Sequence, residues 1–252
     1  MKLKQTDFDK LITVDDIQGV VHSHSTYSDG IHSLEQMAEA SRDEGFSYLV
    51  ITDHSKSAFY ANGLQEDRLM NQLEEISELN ERYDDFVIFS GIESDILNNG
   101  DLDYDKSILD QLDVIIASVH SNLRMDEEKA TSRIIKAVEH PKTHILGHPT
   151  GRLLLSRKAY PLDHKRIIDA CAANGVCIEI NANPYRLDID WTWVPYCLEK
   201  GVMLSINPDA HSMEGINDIR YGVIAGRKGG LTTEMTLNAK TIVEFEDWLN
   251  KK

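Results

Sequence analysis

The chain has 252 residues, 41% hydrophobic and 27% charged, with 15 glycines and 6 prolines, a composition that folds around a packed core and excludes a disordered or fibrous chain. Its 42 acidic against 26 basic residues give a net charge of −16, which excludes a protein that coats nucleic acid through a basic surface. Three cysteines (Cys171, Cys177, Cys197) with no C-x-x-C pair point to a reducing compartment, the cytoplasm, while the opening MKLKQTDFDK does not read as a signal peptide and no stretch approaches the ~18 apolar residues of a membrane span.

Short Val- and Ile-rich runs alternate with longer amphipathic segments, without a linker or an internal repeat. Residues 19–24 (GVVHSH) predict a first strand, and 33–44, opening on Ser-Leu-Glu-Gln and ending before Gly45, the helix after it. Strand two follows over 48–54 (YLVITDH), then a helix over 66–82 with Leu69, Leu73, Ile76 and Leu79 at helical spacing. Strands three and four read from 86–94 (FVIFSGIES) and 113–120 (DVIIASVH), and a helix over 126–139 stops before Pro141. Strand five is 144–149 (HILGHP), strand six 175–183 (GVCIEINAN) and strand seven 201–211 (GVMLSINPDAH). Helices are expected over 163–173, 191–200 and 239–250. Near-continuous apolar strands alternating with helices give an α/β fold with a parallel sheet. At this length a TIM-like barrel with seven strands, hence distorted, is expected; an open doubly wound sheet is the alternative.

The ligand-type residues fall at the C-terminal ends of these strands. Strand one delivers His22 and His24, and its loop Asp29. Strand two ends in Asp53-His54, strand three in Glu93, strand four in His120, strand five in His148 and strand seven in Asp209 and His211. In a parallel barrel those ends share one rim, where barrel enzymes place their chemistry. Alternation along the strand turns His22 and His24 to one side. Imidazoles with carboxylates suit zinc, manganese or iron, and these nine exceed what one four-coordinate ion takes. Two to three divalent ions fit, with Glu93 as a bridge. Such clusters activate water and clamp phosphoryl oxygens. Any one of these histidines alone would read as an ordinary hydrogen-bonded residue; their joint order does not. Asp53, pointing away from His54, is expected to orient a ligand from behind. Lys56, Arg152 and Arg186 are candidates to hold substrate phosphate, the arginines through paired N–H groups. Tyr185, Trp191 and Trp193 beside Arg186 are read as packing. His32, His140, His144 and His164 lie off the rim and are read as structural.

Together HSHSTYSDG, ITDHS, GIESDI, ASVHS, GHPTGRLL, EINANPYRLD and PDAHS resemble the PHP (polymerase and histidinol phosphatase) family. More narrowly, they resemble the PHP domain at the C-terminus of bacterial family X DNA polymerases. The resemblance implies one PHP metallo-phosphoesterase domain over residues 1–252, with 1–16 as a lead-in, and a distorted (β/α)7 barrel with a trinuclear site. It implies one ion on His22, His24, Glu93 and Asp209, a second on Glu93, His120 and His148, and a third on Asp29, His54 and His211. It further implies a phosphoester hydrolase in which a metal-bound water attacks phosphorus, assisted by Arg152 or Arg186. Its substrate would be a DNA 3′ end, cleaved as a 3′–5′ exonuclease or 3′-phosphatase beside a polymerase or repair partner. A phosphatase for small phosphomonoesters is the alternative, and a non-catalytic metal- or polymerase-binding module a further one. An amidohydrolase, which also opens on H-x-H, is disfavoured because His120 stands where its bridging lysine would be. Where the family has Asp-Leu before H-x-H this chain has Val20-Val21, and Pro208 precedes Asp-Ala-His. Strand one therefore carries no carboxylate to orient its histidines.

Overall fold

The computed structural model describes residues 9–252; residues 1–8, half of the expected lead-in, lie outside the described residues. Seven strands form one parallel sheet in sequential order: β1 (Gly19–Ser23), β2 (Tyr48–Ile51), β3 (Val87–Asp95), β4 (Val114–Ser118), β5 (Ile145–Leu146), β6 (Cys177–Asn181) and β7 (Leu204–Asn207). The order curls the sheet towards closure, and the expected barrel is what forms. Between β7 and β1 there is a bridge at Ser23 and Ala210, where His24 N donates to Ala210 O at 2.8 Å. Lower on this seam the Asn238 side chain stands in for a missing strand. Its Nδ2 donates to Gly19 O (3.3 Å) and Ile206 O (2.7 Å), and its Oδ1 accepts from Ile206 N (3.0 Å).

Strand parity divides the apolar residues into two sets. Val20, Leu49, Ile51, Ile88, Ile115, Ile178 and Ile206 belong to the larger cluster that the helices cover. Val21, Val50, Val114, Ile116, Ile145 and Cys177 belong to a second cluster with Phe245. Phe245 stacks on Tyr48 at 4.8 Å between ring centres and so plugs the N-terminal mouth. Its helix, α8 (Ile242–Leu249), starts in a capping box made by Thr241 and Glu244. The remaining helices are α1 (Leu34–Asp43), α2 (Glu66–Asn80), α3 (Lys106–Leu109), α4 (Glu127–Val138), α5 (His164–Asn174), α6 (Val194–Glu199) and α7 (Ile219–Gly229). Ser33, Asp126 and Asp163 cap α1, α4 and α5. Among the described residues no helix is long and apolar enough to cross a membrane.

Three helices differ from the sequence expectation, the first being the single turn α3, which was not expected. The segment expected to be one helix over 191–200 begins as a 3-10 turn, Trp191–Trp193, before α6. α7 was not expected at all, because Gly222, Gly226 and Gly229 depress its propensity. Packing overrides that penalty. A Cβ on Gly222 would lie 2.5 Å from Ile206 Cγ2 and 2.7 Å from Ala182 Cβ, so only glycine lets α7 approach the sheet this closely. Gly222→Val is expected to cost about 1–3 kcal/mol through overpacking, read as a lower urea midpoint; unchanged stability would show that α7 does not pack as described.

Candidate metal centre

Above the apolar plug the barrel interior turns polar. β1 starts this by breaking its own ladder. Its register with β2 shifts between Val21 and Ser23, and His22 adopts φ +68°. The bulge re-aims the strand. His22 and His24 therefore converge through a bulge and a residue beyond the strand end, not through simple alternation. Asp209 also sits at positive φ, +52°. Such backbone costs about 1–3 kcal/mol per residue and persists where surroundings impose it.

Glu93, at the C-terminal half of β3 and fully buried, is the hub. Its Oε1 lies 3.3 Å from His22 Nε2, 3.2 Å from His120 Nε2 and 2.8 Å from His148 Nε2. Its Oε2 lies 3.0 Å from His54 Nδ1 and 3.6 Å from His24 Nε2. Asp209 Oδ1 is 3.0 Å from His24 Nε2 and 3.5 Å from His22 Nε2. Asp29 Oδ1 is 3.4 Å from His211 Nε2 and 3.7 Å from His54 Nε2. All nine sequence-named residues thus meet. Three sets have ligand atoms within 4.8 Å of one another: His22, His24, Glu93 and Asp209; His54, Glu93 and His120; and His24, Asp29, His54 and His211. The first is the set the resemblance implied. In the second His54 joins Glu93 and His120, while His148 lies outside the three sets, against Glu93 and with its ring centre 5.2 Å from that of His120; the third gains His24.

The donor chemistry fits divalent cations. Buried His22 Nε2, His24 Nδ1, His54 Nδ1 and Glu93 Oε2 have no hydrogen-bond partner, which is costly unless something fills the gap. Lone pairs and carboxylate oxygens converge there, as ligation requires.

Two carboxylates not named from the sequence hold the far sides of the rings. His22 Nδ1 donates to Glu179 Oε2 and His120 Nδ1 to Asp95 Oδ1, each at 2.5 Å. A carboxylate only accepts, so each ring carries a proton on Nδ1, which leaves Nε2, the nitrogen facing Glu93, as the atom that ligates once its own proton is displaced. The orienting carboxylate that β1 lacks is supplied across the barrel by β6. The signal in the sequence was a lone acid, Glu179, inside the apolar run VCIEI.

Burial works against protonation of His22, yet Glu179, Asp209 and Glu93 outweigh it and raise its pKa well above the usual value. His120 is likewise pushed to about 10 by Glu93 and Asp95 against burial, and His211 to about 9 by Asp29 and Asp209 against burial. His24 goes the other way, to about 3, through burial and the neighbouring His211. Burial opposes ionisation of Glu93 and Asp209, but the histidines hold both well below the ordinary carboxylate range. A protonated imidazole cannot ligate, so cations compete with protons for His22, His120 and His211. Metal affinity of the chelated protein is therefore expected to rise with pH by about tenfold per unit for each proton displaced. It levels off only past about 9 for His211 and about 10 for His120. Competition against a chelator across neutral pH reads this directly, and a flat affinity would contradict it.

The other sequence candidates divide. Asp53 does not touch a histidine. It accepts from Ser25 N (2.8 Å), Ser25 Oγ (2.7 Å), Ser28 N (3.0 Å) and Gln72 Nε2 (2.6 Å), and so clamps the loop between His24 and Asp29. Lys56 is corrected: it pairs with Glu66 at 3.3 Å over the Tyr104 ring and does not line the metal pocket. Arg152 is corrected too. Its Nε donates to Arg186 O (2.8 Å), its other nitrogens to Asp190 Oδ2 (2.9 Å) and to Leu187 O, so it braces the 186–190 loop and does not line the metal pocket. Arg186 does line the pocket, 3.4 Å from Asp209 Oδ2. Tyr60, Leu153 and Arg157 complete the walls of this cavity of about 210 Å³. Burial, then Asp95, Glu93 and Asp29, push the Tyr60 phenol up, so it stays a hydrogen-bond donor. Trp191 and Trp193 pack against the core, Trp193 stacked on His164 at 4.6 Å. Tyr185 does not pack; it is 68% exposed. His144 is buried and accepts from Ile115 N at 3.1 Å below β4, at the rim opposite His148.

Comparison with known proteins agrees with this geometry. The chain is 40% identical over 246 residues to the DNA polymerase/3′-5′ exonuclease PolX of Bacillus subtilis, a match that covers 98% of this chain and 43% of PolX. It thus spans less than half the length of that relative. A probable phosphatase of Thermoanaerobacter is 26% identical over 244 residues, covering 92% of this chain and 94% of that protein. The fold of histidinol phosphate phosphatase from Lactococcus lactis, solved with zinc, L-histidinol and phosphate, superposes with a TM-score of 0.57 at 15% identity, covering 85% of this chain and 94% of that one. The profile of the PHP domain matches residues 21–183, most of the barrel and six of its strands, and the chain belongs to the PHP domain family.

Proposed function

We propose that this barrel is one PHP metallo-phosphoesterase domain that hydrolyses phosphoesters with two to three divalent ions, zinc, manganese or iron, held by His22, His24, Asp29, His54, Glu93, His120, His148, Asp209 and His211. The observation that carries the reading is Glu93, buried and ringed by five imidazoles within 3.6 Å. Divalent cations bound there lower the pKa of water and neutralise charge on phosphoryl oxygens. The chain's own residues prepare the site. Glu179 and Asp95 keep His22 and His120 in the ligating tautomer. Arg186 and Arg157, in the pocket wall, supply donors for non-bridging phosphate oxygens, and Tyr60 a further one. In hydrolysis the oxygen of water bonds to phosphorus, the ester P–O bond breaks, and the departing alcohol oxygen takes up a proton.

A DNA 3′ end stands first as substrate, because PolX, named for a 3′-5′ exonuclease, is similar over 98% of this chain. The net charge of −16 gives the chain little hold on DNA, so a polymerase or repair partner would deliver that end. The same charge favours the second reading, a small phosphomonoester, as histidinol phosphate is for the Lactococcus lactis phosphatase of similar fold. Three free, buried thiols suit a cytoplasmic enzyme.

The test is turnover by the chelated protein given back each metal in turn, on a 3′-labelled oligonucleotide, its 3′-phosphorylated form and a nucleoside monophosphate. Metal-restored release of nucleotide or phosphate is the expected result. Release from the nucleoside monophosphate alone would select the second reading, and inertness on all three with every metal would leave a non-catalytic module.

A further inference from the structure

The metal pocket opens sideways. Leu153, Arg186, Asp209 and His211 line both it and an adjoining chamber of about 350 Å³ that Leu154 and Tyr185 continue outward. The volume lies in the range of small-molecule sites, roughly 300–1,000 Å³.

The wall of this chamber is built with some care. The turn after β5 forms a tight hairpin in which Leu153 N donates to Arg157 O at 2.9 Å and Arg157 N to Leu153 O at 2.7 Å. Arg157 Nε ties its base to Gly151 O at 2.9 Å. The hairpin is pinned to the loop after β6, where Leu154 N donates to Tyr185 O at 2.6 Å. Its tip, Leu155, is wholly solvent-exposed with φ +65°. A leucine in left-handed backbone with nothing to pack against is doubly unfavourable, and strain of this kind gathers at functional sites. Leu155 and the Tyr185 phenol therefore face solvent, with Leu153 and Leu154 half-buried behind them, beside the metal pocket.

The two chambers share Arg186, and this orders any ligand. A phosphate held between the metal centre and Arg186 leaves the alcohol half of its ester in the outer chamber, where Leu153, Leu154 and Tyr185 stand with Ser156 and Asn183. A small polyol would leave Leu153, Leu154 and Tyr185 wet. A flat heteroaromatic ring covers them, and a phenol beside an arginine is the pairing on which such rings stack. We propose that this chamber is a nucleobase subsite, with Tyr185 as its stacking face, so that the substrate is an ester of a nucleoside whose base is unpaired. This rests on the phosphoesterase reading above and narrows its substrate class.

The test compares thymidine 3′-phosphate with its base-less counterpart, 1,2-dideoxyribose 3-phosphate, in the metal-replete protein. Wild type is expected to favour the thymidine ester by about tenfold or more in kcat/KM. Tyr185→Ala collapses that ratio towards one and Tyr185→Phe keeps it; because Tyr185 is exposed, both variants fold. Calorimetric binding of the two esters must show the same preference, and it needs no turnover. Equal efficiency on the two esters, with equal affinity, overturns the subsite and leaves the hydrolase standing. Hydrolysis of neither ester, with thymidine 3′-phosphate still bound more tightly through Tyr185, overturns the hydrolase and leaves the subsite.

Discussion

Glu93→Gln is expected to abolish hydrolysis while the barrel stays folded. The substitution keeps the volume and removes the charge on which His22, His24, His54, His120 and His148 converge. An amide bridges cations poorly, and its NH2 must also face imidazole nitrogens from which Glu93 now draws. Every set of ligand atoms except that of His24, Asp29, His54 and His211 includes Glu93. Loss of at least about 10³-fold in kcat/KM follows, roughly 4 kcal/mol of transition-state stabilisation. Metal content should fall with it. The control is His144→Ala at the opposite rim, which orphans Ile115 N and costs about 1–3 kcal/mol of stability without touching turnover. A folded Glu93→Gln protein that retains activity would remove Glu93 from the reaction.

Glu179→Gln is the second large effect, and it separates orientation from ligation. Glu179 is fully buried and accepts four hydrogen bonds: from His22 Nδ1 (2.5 Å) and Asn207 Nδ2 (2.8 Å) on Oε2, and from His148 N (2.9 Å) and Asn181 Nδ2 (3.0 Å) on Oε1. A glutamine has one oxygen, so one pair of donors must confront its NH2. With the NH2 towards His22, the ring can relieve the clash only by giving up its Nδ1 proton and keeping the one on Nε2, which denies a cation the Nε2 lone pair. With the NH2 towards His148 N, a backbone donor that cannot move is left unpaired. Metal affinity is expected to fall about 10–100-fold. The metal-free protein should lose about 3–5 kcal/mol, since a buried charged pair has lost one partner. Titration with a competing chelator and urea unfolding measure the two. Unaltered affinity would show that His22 needs no orienting carboxylate.

Why Glu179 escaped the sequence reading while Glu93 did not is a matter of geometry. Strand ends are marked by where an apolar run meets Gly, Asp, Asn or Pro, so His22, Glu93, His120, His148 and Asp209 announce the rim by position. The order of the strands then brings them together, because a parallel barrel has one C-terminal mouth. Glu179 lies mid-strand, and its partner is 157 residues away on β1. Only closure of the barrel, β7 back onto β1, sets β6 near His22. The cations failed for the opposite reason. Lys56 and Arg152 stand beside ligand motifs in sequence, but loop geometry turns Lys56 to Glu66 and Arg152 to the 186–190 backbone. Arg157 reaches the pocket only because a five-residue hairpin folds it back, which no periodicity records. α7 shows the same limit at the level of fold: its glycines argue against a helix locally and are required by contact with Ile206 and Ala182.

The most direct measurement is anomalous diffraction from crystals of the protein grown with zinc or manganese. The expected result is two or three peaks between Glu93 and its surrounding imidazoles, one of them within bonding distance of His22, His24 and Asp209. Crystals soaked in excess metal with no peak beside Glu93 would contradict the assignment of this rim as a polynuclear centre.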